Sequence, residues 1–255
     1  MAVSIKSASK PCRLVQILCV MGLGVLSACA NPEPGAEYLD PYEADNRAVH
    51  EANKQLDREF VRPVAAAYGR IVPVPVQRGV SNFSNNLDTP GLMVNNLLQF
   101  DIANLARNGL RFAVNTTVGI AGLFDPASSM GISRKDTDFG QTLDVWGLAK
   151  EGNYVELPLL GPSTERDAVG KIVDAAMNPL GAVLPKATVR VGQGAWVATK
   201  LGERNRFGHT IDSVLYDSAD SYAQSRLLYL QNRRFELGQS NVADYFDPYE
   251  DMMGQ

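Results

Sequence analysis

The chain has 255 residues, 45% of them hydrophobic, and a formal net charge of −4 at pH 7. This length allows one sizeable domain that buries a core without disulfides. Because no basic run or RNA-binding signature occurs, the composition argues against nucleic acid as a partner.

Residues 1–28 have the order of a secretory signal peptide. Three basic residues precede a mostly apolar stretch from 14 to 25, which is shorter than the roughly 20 residues that a permanent span needs. The tetrapeptide LSAC at 26–29 then matches a lipobox, in which the leader is cut before a cysteine that receives lipid. The alternative is an ordinary cleavage site at which Cys29 is incidental.

We predict that the mature chain begins at an acylated Cys29. Ala30, not aspartate, follows this cysteine, which favours the outer membrane over the inner one. The other two cysteines lie in the leader, so the mature chain keeps no thiol for a disulfide or a metal site. The leader also carries three of the 24 basic residues, which leaves 21 against 28 acidic residues.

The first part of the mature chain predicts a tether and then helices. Residues 29–39 contain two prolines and a glycine, which is typical of a linker. A thin apolar stripe from Glu43 to Phe60 predicts a helix on a surface, which Arg62-Pro63 is expected to interrupt. Thr89-Pro90 predicts another helix start, with the threonine as N-cap and the proline in the first turn.

Two segments without charge, 90–100 and 112–124, flank a helix that Asp101 is expected to cap. About thirteen helical residues reach roughly 20 Å, which is short of the ~30 Å hydrocarbon core of a bilayer. The segments therefore form a buried helical hairpin, which composition favours, or they enter one leaflet only. The residues that the second reading embeds are Leu92, Met93, Leu97, Leu98, Phe112, Val114 and Phe124.

Residues 130–156 are rich in glycine and aromatic residues, lack a clean period and predict an ordered loop or irregular hairpin. Residues 154–160 have the composition of a short strand, although Pro158 weakens that prediction.

The remainder of the chain predicts further helices. Ser163 is expected to N-cap an amphipathic helix that ends before residue 178, and residues 189–201 predict a weaker helix. A long final helix is expected from Ile211 to Leu237, with Gly238 as its C-cap. Residues 241–255 are acidic and predict a solvated tail. The fold class is mainly α.

No catalytic or metal motif is recognisable in the sequence, so we expect neither an enzyme nor a cofactor. The G-x-S-x-G, H-E-x-x-H and EF-hand patterns are all missing. Of the two histidines, His50 is placed on the polar surface helix and His209 in a turn. Helix capping and solvated charge explain the carboxylate pairs Asp136/Asp138 and Asp217/Asp220 better than acid–base chemistry does.

Short motifs follow one another over nearly the whole mature chain. They include Asp40-Pro41-Tyr42-Glu43, Asn46-Arg47, Arg62-Pro63-Val64-Ala65, Met93-Val94-Asn95, Phe139-Gly140, Leu157-Pro158, Arg166-Asp167 and Asp220-Ser221-Tyr222. Each motif is weak alone, but in this order they resemble the MlaA (VacJ) family of outer-membrane lipoproteins from Asp40 to about Arg234.

This resemblance implies a ring of mainly amphipathic helices over residues 40–240, embedded in one leaflet around a central channel. Such a protein removes mislocalised phospholipid from the outer leaflet of the outer membrane. It passes the lipid to a soluble periplasmic carrier and associates with a trimeric outer-membrane porin. The resemblance therefore favours the one-leaflet reading of the two uncharged segments.

Within the matched region, residues 139–156 resemble a glycine-rich hairpin loop beside the channel. We expect the passage to be shaped by Phe139, Gly140, Trp146, Gly147 and Tyr154. One departure is Val49-His50-Glu51-Ala52, where family members often have aromatic residues, and it should weaken the grip of the first helix on the interface. A porin-bracing scaffold that carries no lipid, or a periplasmic hydrolase, are the alternative functions.

Overall fold

The computed structural model describes residues 40–239. The predicted signal peptide, Cys29, the tether at 29–39 and the acidic tail lie outside these residues and stay predictions.

The described chain is mainly α-helical, as predicted. Its first half contains α1 (Glu43–Leu56), a π-helical segment (Asp57–Val61), α2 (Arg62–Ile71), α3 (Val74–Leu98), α4 (Ile102–Thr117) and α5 (Pro126–Ser129). Its second half contains α6 (Phe139–Val145), β1 (Tyr154–Leu157), β2 (Gly161–Thr164), α7 (Glu165–Met177), α8 (Leu180–Val183), α9 (Lys186–Arg206), α10 (Gly208–Leu215) and α11 (Ser221–Glu236).

The elements pack in a closed circuit. It runs through α1, the π-helical segment, α2, α9, α3, α6, α7 and β1, and β1 returns to α1. Helix α4 packs along α3, and α11 packs on β2. The strands form an antiparallel hairpin in which Tyr154 pairs with Thr164 and Leu157 with Gly161. This arrangement confirms the prediction of a ring-like helical bundle.

Two predicted interruptions at proline are absent or weaker than expected. At Arg62-Pro63 the chain stays helical, because the π-helical segment passes directly into α2 and Pro63 falls in its first turn. The predicted helix start at Thr89-Pro90 is wrong, since both residues lie inside α3. Thr89 Oγ1 donates to the carbonyl oxygen of Asn85 at 2.8 Å instead of capping. Packing of α3 on α4 and α9 overrides the local cost of about 3 kcal/mol for a proline in a helix.

Two further boundaries need correction. The predicted final helix is two helices, because Asp220 starts a new one by accepting the backbone N–H of Ala223 at 3.0 Å. The N-cap of α7 is Thr164, not Ser163, which lies in β2. The caps at Asp101 and Gly238 are confirmed, the first by a bond from the backbone N–H of Asn104 and the second by a φ of +67°.

The described part of the chain has a polar interior and many exposed apolar side chains. Twenty-one polar or charged residues are buried, against seven hydrophobic ones, and only Leu92 and Leu230 among the latter are large aliphatic residues. Ile71 and Phe100 are about four-fifths exposed, at 78% and 83%. Thirty large hydrophobic side chains of the described residues are exposed, these two included. Among residues 40–239, no helix is both long and apolar enough to cross a membrane.

Candidate functional site

The main candidate site is a groove of about 580 Å³ where α8 and α9 face α3 and the end of α7. Its polar edge carries Ser84, Asp88 and Asn178. Its apolar wall is formed by Leu87, Leu180, Leu184, Val189, Trp196 and Val197.

A smaller cavity of about 190 Å³ continues the groove, because Asp88 and Asn178 line both. This polar cavity is lined further by Asn95, Asp138 and Asp174. Together the two spaces have an apolar end and a polar end, which suits a molecule that has both characters.

The carboxylates of the polar cavity differ in their partners. Asp88 pairs with Arg134 and Asp138 pairs with Arg233, each at 2.7 Å. Asp174 is held by neutral donors: the side-chain amide of Asn95 at 2.7 Å and the backbone N–H of Phe139 at 3.0 Å. Burial raises the pKa of Asp174, and the charges of Asp138 and Asp88 act in the same direction.

An apolar pocket of about 470 Å³ is also lined by α3 and α9. Val80 and Phe83 line it from α3, Val191 and Ala195 line it from α9, and it shares no lining residue with the groove. The α3–α9 pair therefore has one amphipathic space and one wholly apolar space.

The predicted loop residues separate into two places. Phe139 and Gly140 lie in helix α6, so the expectation of a loop there is wrong; Asp138 caps this helix through the backbone N–H of Gln141 at 2.8 Å. Trp146 ends α6, with its ring edge-on to Phe139 at 6.2 Å and its Nε1–H donated to the carbonyl oxygen of Leu98 at 2.8 Å. Gly147 follows with a φ of +65°. Segment 139–147 is thus joined to the polar cavity, because Phe139 contacts Asp174.

Gly140 has a packing role that the sequence did not reveal. A Cβ at this position would lie 2.5 Å from Oδ1 of Asp167, and a Cβ on Gly170 would lie 2.5 Å from the backbone nitrogen of Gly140. Helices α6 and α7 therefore cross with their backbones in contact.

Tyr154 lies in a different cluster, buried in β1 with 1% of its surface exposed. Its hydroxyl donates to Glu156, and its ring is edge-on to Tyr222 at 5.8 Å. The placement of His50 on a surface is wrong, because His50 is buried between Glu156 and Ser221. Burial raises the pKa of the Tyr154 hydroxyl, and its bond to Glu156 raises it further.

A buried ionic network ties α11 to α6 and α7. The guanidinium of Arg233 contacts Asp138 at 2.7 Å and Asp167 at 3.0 Å, and Arg166 contacts Asp144 at 2.6 Å. Although burial opposes ionisation of Asp167, its bonds with Arg233 lower its pKa overall. The network fixes the base of segment 139–147.

The residues predicted to embed in a leaflet do not share one environment. Leu97 and Phe124 are exposed, while Leu92 is buried. The others are half-buried: Met93, Leu98, Phe112 and Val114. On α4 the buried residues are Asn108, Arg111 and Asn115, so the helix turns its polar face inward.

The wall of the groove was not predicted from the sequence. Leu180 and Leu184 lie between Pro179 and Pro185, in a segment that gave no clear periodicity. Val189, Gly192 and Trp196 do follow helical spacing on the predicted weaker helix, and this was the available signal.

The fold and the groove define a mainly α-helical protein with a polar interior, many exposed apolar side chains and a space suited to an amphipathic molecule. Comparison with known proteins makes the assignment specific. The family described as MlaA lipoprotein matches residues 38–236. The chain belongs to the MlaA lipoprotein family.

Relatives support this assignment over most of their length. The intermembrane phospholipid transport system lipoprotein MlaA of Escherichia coli strain K12 is 34% identical over 84% of this chain and 85% of its own. The protein of the same description from Haemophilus influenzae is 30% identical over 86% and 88%. A solved structure on the structural basis for maintenance of bacterial outer membrane lipid asymmetry matches with a TM-score of 0.64. It is 32% identical and covers 78% of this chain and 98% of that one.

Proposed function

We propose that this protein moves phospholipid out of the outer leaflet of the outer membrane and so maintains lipid asymmetry. The observation that carries the proposal is the groove, with its apolar wall opposite a polar edge and its polar extension. The relatives that bear the description of a phospholipid transport lipoprotein support the same function.

The physical task of such a protein is to shelter acyl chains. Exposure to water costs roughly 0.8 kcal/mol per methylene, so a diacyl lipid leaves a bilayer slowly without help. In our proposal the chains lie against Leu180, Leu184 and Trp196, and the headgroup lies toward Asp88 and Asn178. Such a path lowers the barrier without chemistry, and it sets no direction.

We further propose that the body of the protein lies in the inner leaflet of the outer membrane, periplasm-facing, with lipid on Cys29 as an additional anchor. Support comes from the exposed apolar side chains and the polar interior. The residues that enter the leaflet include Phe60, Ile71, Phe100, Ile120 and Phe124, each more than half exposed. Changing Cys29→Ala should then impair sorting more than it loosens the mature protein's hold on lipid.

We also propose two protein partners for this transport step. A transport step without direction needs an acceptor, so a soluble periplasmic carrier takes the lipid onward. A trimeric outer-membrane porin is the expected neighbour in the membrane. Both expectations come from the family, and the exposed apolar surface offers an area for contact.

Segment 139–147 borders the polar cavity and is proposed to shape the passage. Gly147 holds a φ of +65°, whereas proline fixes φ near −65°. Gly147→Pro should therefore reshape this segment and raise outer-leaflet phospholipid. Wild-type asymmetry at normal protein levels would remove the segment from the mechanism.

Photocrosslinking tests the groove as the lipid site. A photoreactive residue in place of Trp196 should crosslink radiolabelled phospholipid in cells. The same residue in place of Phe235, which is 72% exposed on α11, reports contact with lipid or solvent outside the groove.

Irradiation follows extraction and brief phospholipase treatment, so that only sheltered lipid is still present to react. The expected result is a crosslink at position 196 and none at 235. A scaffold that carries no lipid predicts no crosslink at either position, and that result would refute the proposal.

A further inference from the structure

A second, polar pocket of about 340 Å³ lies where α1 meets the N-terminus of α11. Arg47, His50 and Lys54 line it from α1, and Ser221 lines it from α11. It shares no lining residue with the groove, so phospholipid transport as proposed above does not use it.

Ser221, His50 and Glu156 form one hydrogen-bonded row beside this pocket. Ser221 Oγ lies 3.1 Å from His50 Nε2, and His50 Nδ1 lies 3.3 Å from Glu156 Oε1. A carboxylate at Nδ1 selects the tautomer that carries its proton there, which leaves Nε2 to accept the serine proton. Ser221 is 8% exposed and His50 is 4% exposed, and both residues line the pocket.

The carboxylate and the imidazole are held firmly in place. The Tyr154 hydroxyl donates to the second oxygen of Glu156, and the backbone N–H of Glu156 donates to Asn46 Oδ1 at 2.9 Å. The Tyr222 ring stands edge-on to His50 at 5.7 Å. Serine, histidine and carboxylate thus have fixed positions on three different elements, α11, α1 and β1.

Positive charge lies next to the serine oxygen. Lys54 Nζ is 3.3 Å from Ser221 Oγ, and it also lies 3.6 Å from Glu51 Oε2. It can stabilise the oxyanion that forms on the ester carbonyl oxygen once Oγ has attacked. Arg47 also lines the pocket, while its guanidinium pairs with Glu43 and Asp220, each at 2.8 Å. Glu51 and Asp220 line the pocket as well, so its lining carries charges of both signs. A small polar pocket of this kind suits a short, polar acyl ester better than a long acyl chain.

We propose that Ser221 and His50, positioned by Glu156, hydrolyse short, polar carboxylic esters. Ser221 Oγ attacks the ester carbonyl carbon while His50 Nε2 takes its proton. The bond from that carbon to the alcohol oxygen breaks, and the alcohol leaves with the proton from Nε2. Water then attacks the acyl group, His50 takes one of its protons, and the Ser221 ester bond breaks to release the acid and return the proton to Oγ.

The test uses the full-length lipoprotein purified in detergent micelles. A biotinylated fluorophosphonate should label it, and peptide mass spectrometry should place the adduct on Ser221. Hydrolysis of mono-(4-nitrophenyl) succinate should exceed that of 4-nitrophenyl palmitate at least tenfold. Ser221→Ala and His50→Gln should each lower the succinate rate at least ~100-fold.

Ser213→Ala is the matched control, because Ser213 lies outside the pocket lining and its hydroxyl donates to the carbonyl of Thr210 at 2.8 Å. This variant should keep both the label and the rate. Glu156→Gln should lower kcat at least tenfold and leave KM within twofold, a split that a purely structural role would not produce.

Two results would overturn the proposal. One is the absence of an adduct on Ser221 in wild-type protein that melts cooperatively; this measurement needs no substitution, so a misfolded variant cannot obscure it. The other is a succinate rate in folded Ser221→Ala equal to that of the wild type.

Discussion

Two regions of the molecule differ in how their side chains contact one another. Around β1, α6, α7 and α11, buried charged and polar groups bond to one another, as Arg233 does with Asp138 and Asp167. Between α3, α8 and α9 the walls are apolar and stand apart around the groove. The first region, which we call the frame, holds its side chains in fixed positions. The second region encloses the open space of the groove. Substitutions should therefore affect stability in the frame and transport at the groove.

The largest effect on stability is expected at Arg233. Arg233→Met leaves Asp138 and Asp167 without their shared cation, and removing one partner of a buried pair costs about 3–5 kcal/mol. Urea unfolding should show this loss. Lys200→Met is the control, because its pair with Glu203 is about half exposed and contributes at most about 1 kcal/mol. Equal losses in the two variants would contradict the distinction between frame and surface.

A smaller loss is expected at the crossing of α6 and α7. Gly140→Ala places a methyl group 2.5 Å from the Asp167 carboxylate, which should destabilise by about 1–3 kcal/mol. Gly194→Ala on α9 meets nothing within 4 Å, so its better helix propensity should stabilise by up to about 1 kcal/mol. Thermal unfolding should show a lower melting temperature for Gly140→Ala and an unchanged or higher one for Gly194→Ala. Stabilisation by both substitutions would show that the crossing of α6 and α7 has room for the methyl group.

The free energy of unfolding should also depend on pH through the carboxyl group of Asp125. Burial opposes its ionisation, but bonds from Ser128 and Arg111 lower its pKa to about 2. A depressed carboxyl pKa contributes stability above its unfolded value near 3.9, and that contribution is lost as pH falls toward 2. Asp125→Asn should flatten the stability curve between about pH 4 and 2. An unchanged slope in Asp125→Asn would contradict this assignment.

The sequence predicted most of the helices, because capping and periodicity are local. Asp101 and Gly238 were predicted as caps at named helix ends. For Asp220, capping and solvated charge were both offered, and no helix boundary was predicted there. The break at Thr89-Pro90 was wrong because long-range packing of α3 decided it. The ring-like arrangement was predicted from the family resemblance, because hydrophobic periodicity describes single helices and not their arrangement.

The candidate site was less accessible to sequence reasoning. Residues 180, 184 and 196 meet Asp88 only after the ring closes, so no local pattern joins them. His50, Glu156 and Ser221 are likewise brought together from three distant segments. Helices α4 and α7 turn their polar faces inward. The sequence shows that a helix has an apolar face, but it does not show whether that face points toward the interior or toward the surroundings.

Outer-leaflet phospholipid in cells tests the central claim, that the groove is the lipid path. Gly181 lines the groove and Gly194 lines the separate apolar pocket, and a Cβ on either meets nothing within 4 Å. A deletion strain complemented with Gly181→Leu should accumulate phospholipase-accessible phospholipid, while Gly194→Leu should match the wild type. Equal asymmetry in both strains, at equal protein levels, would contradict the account.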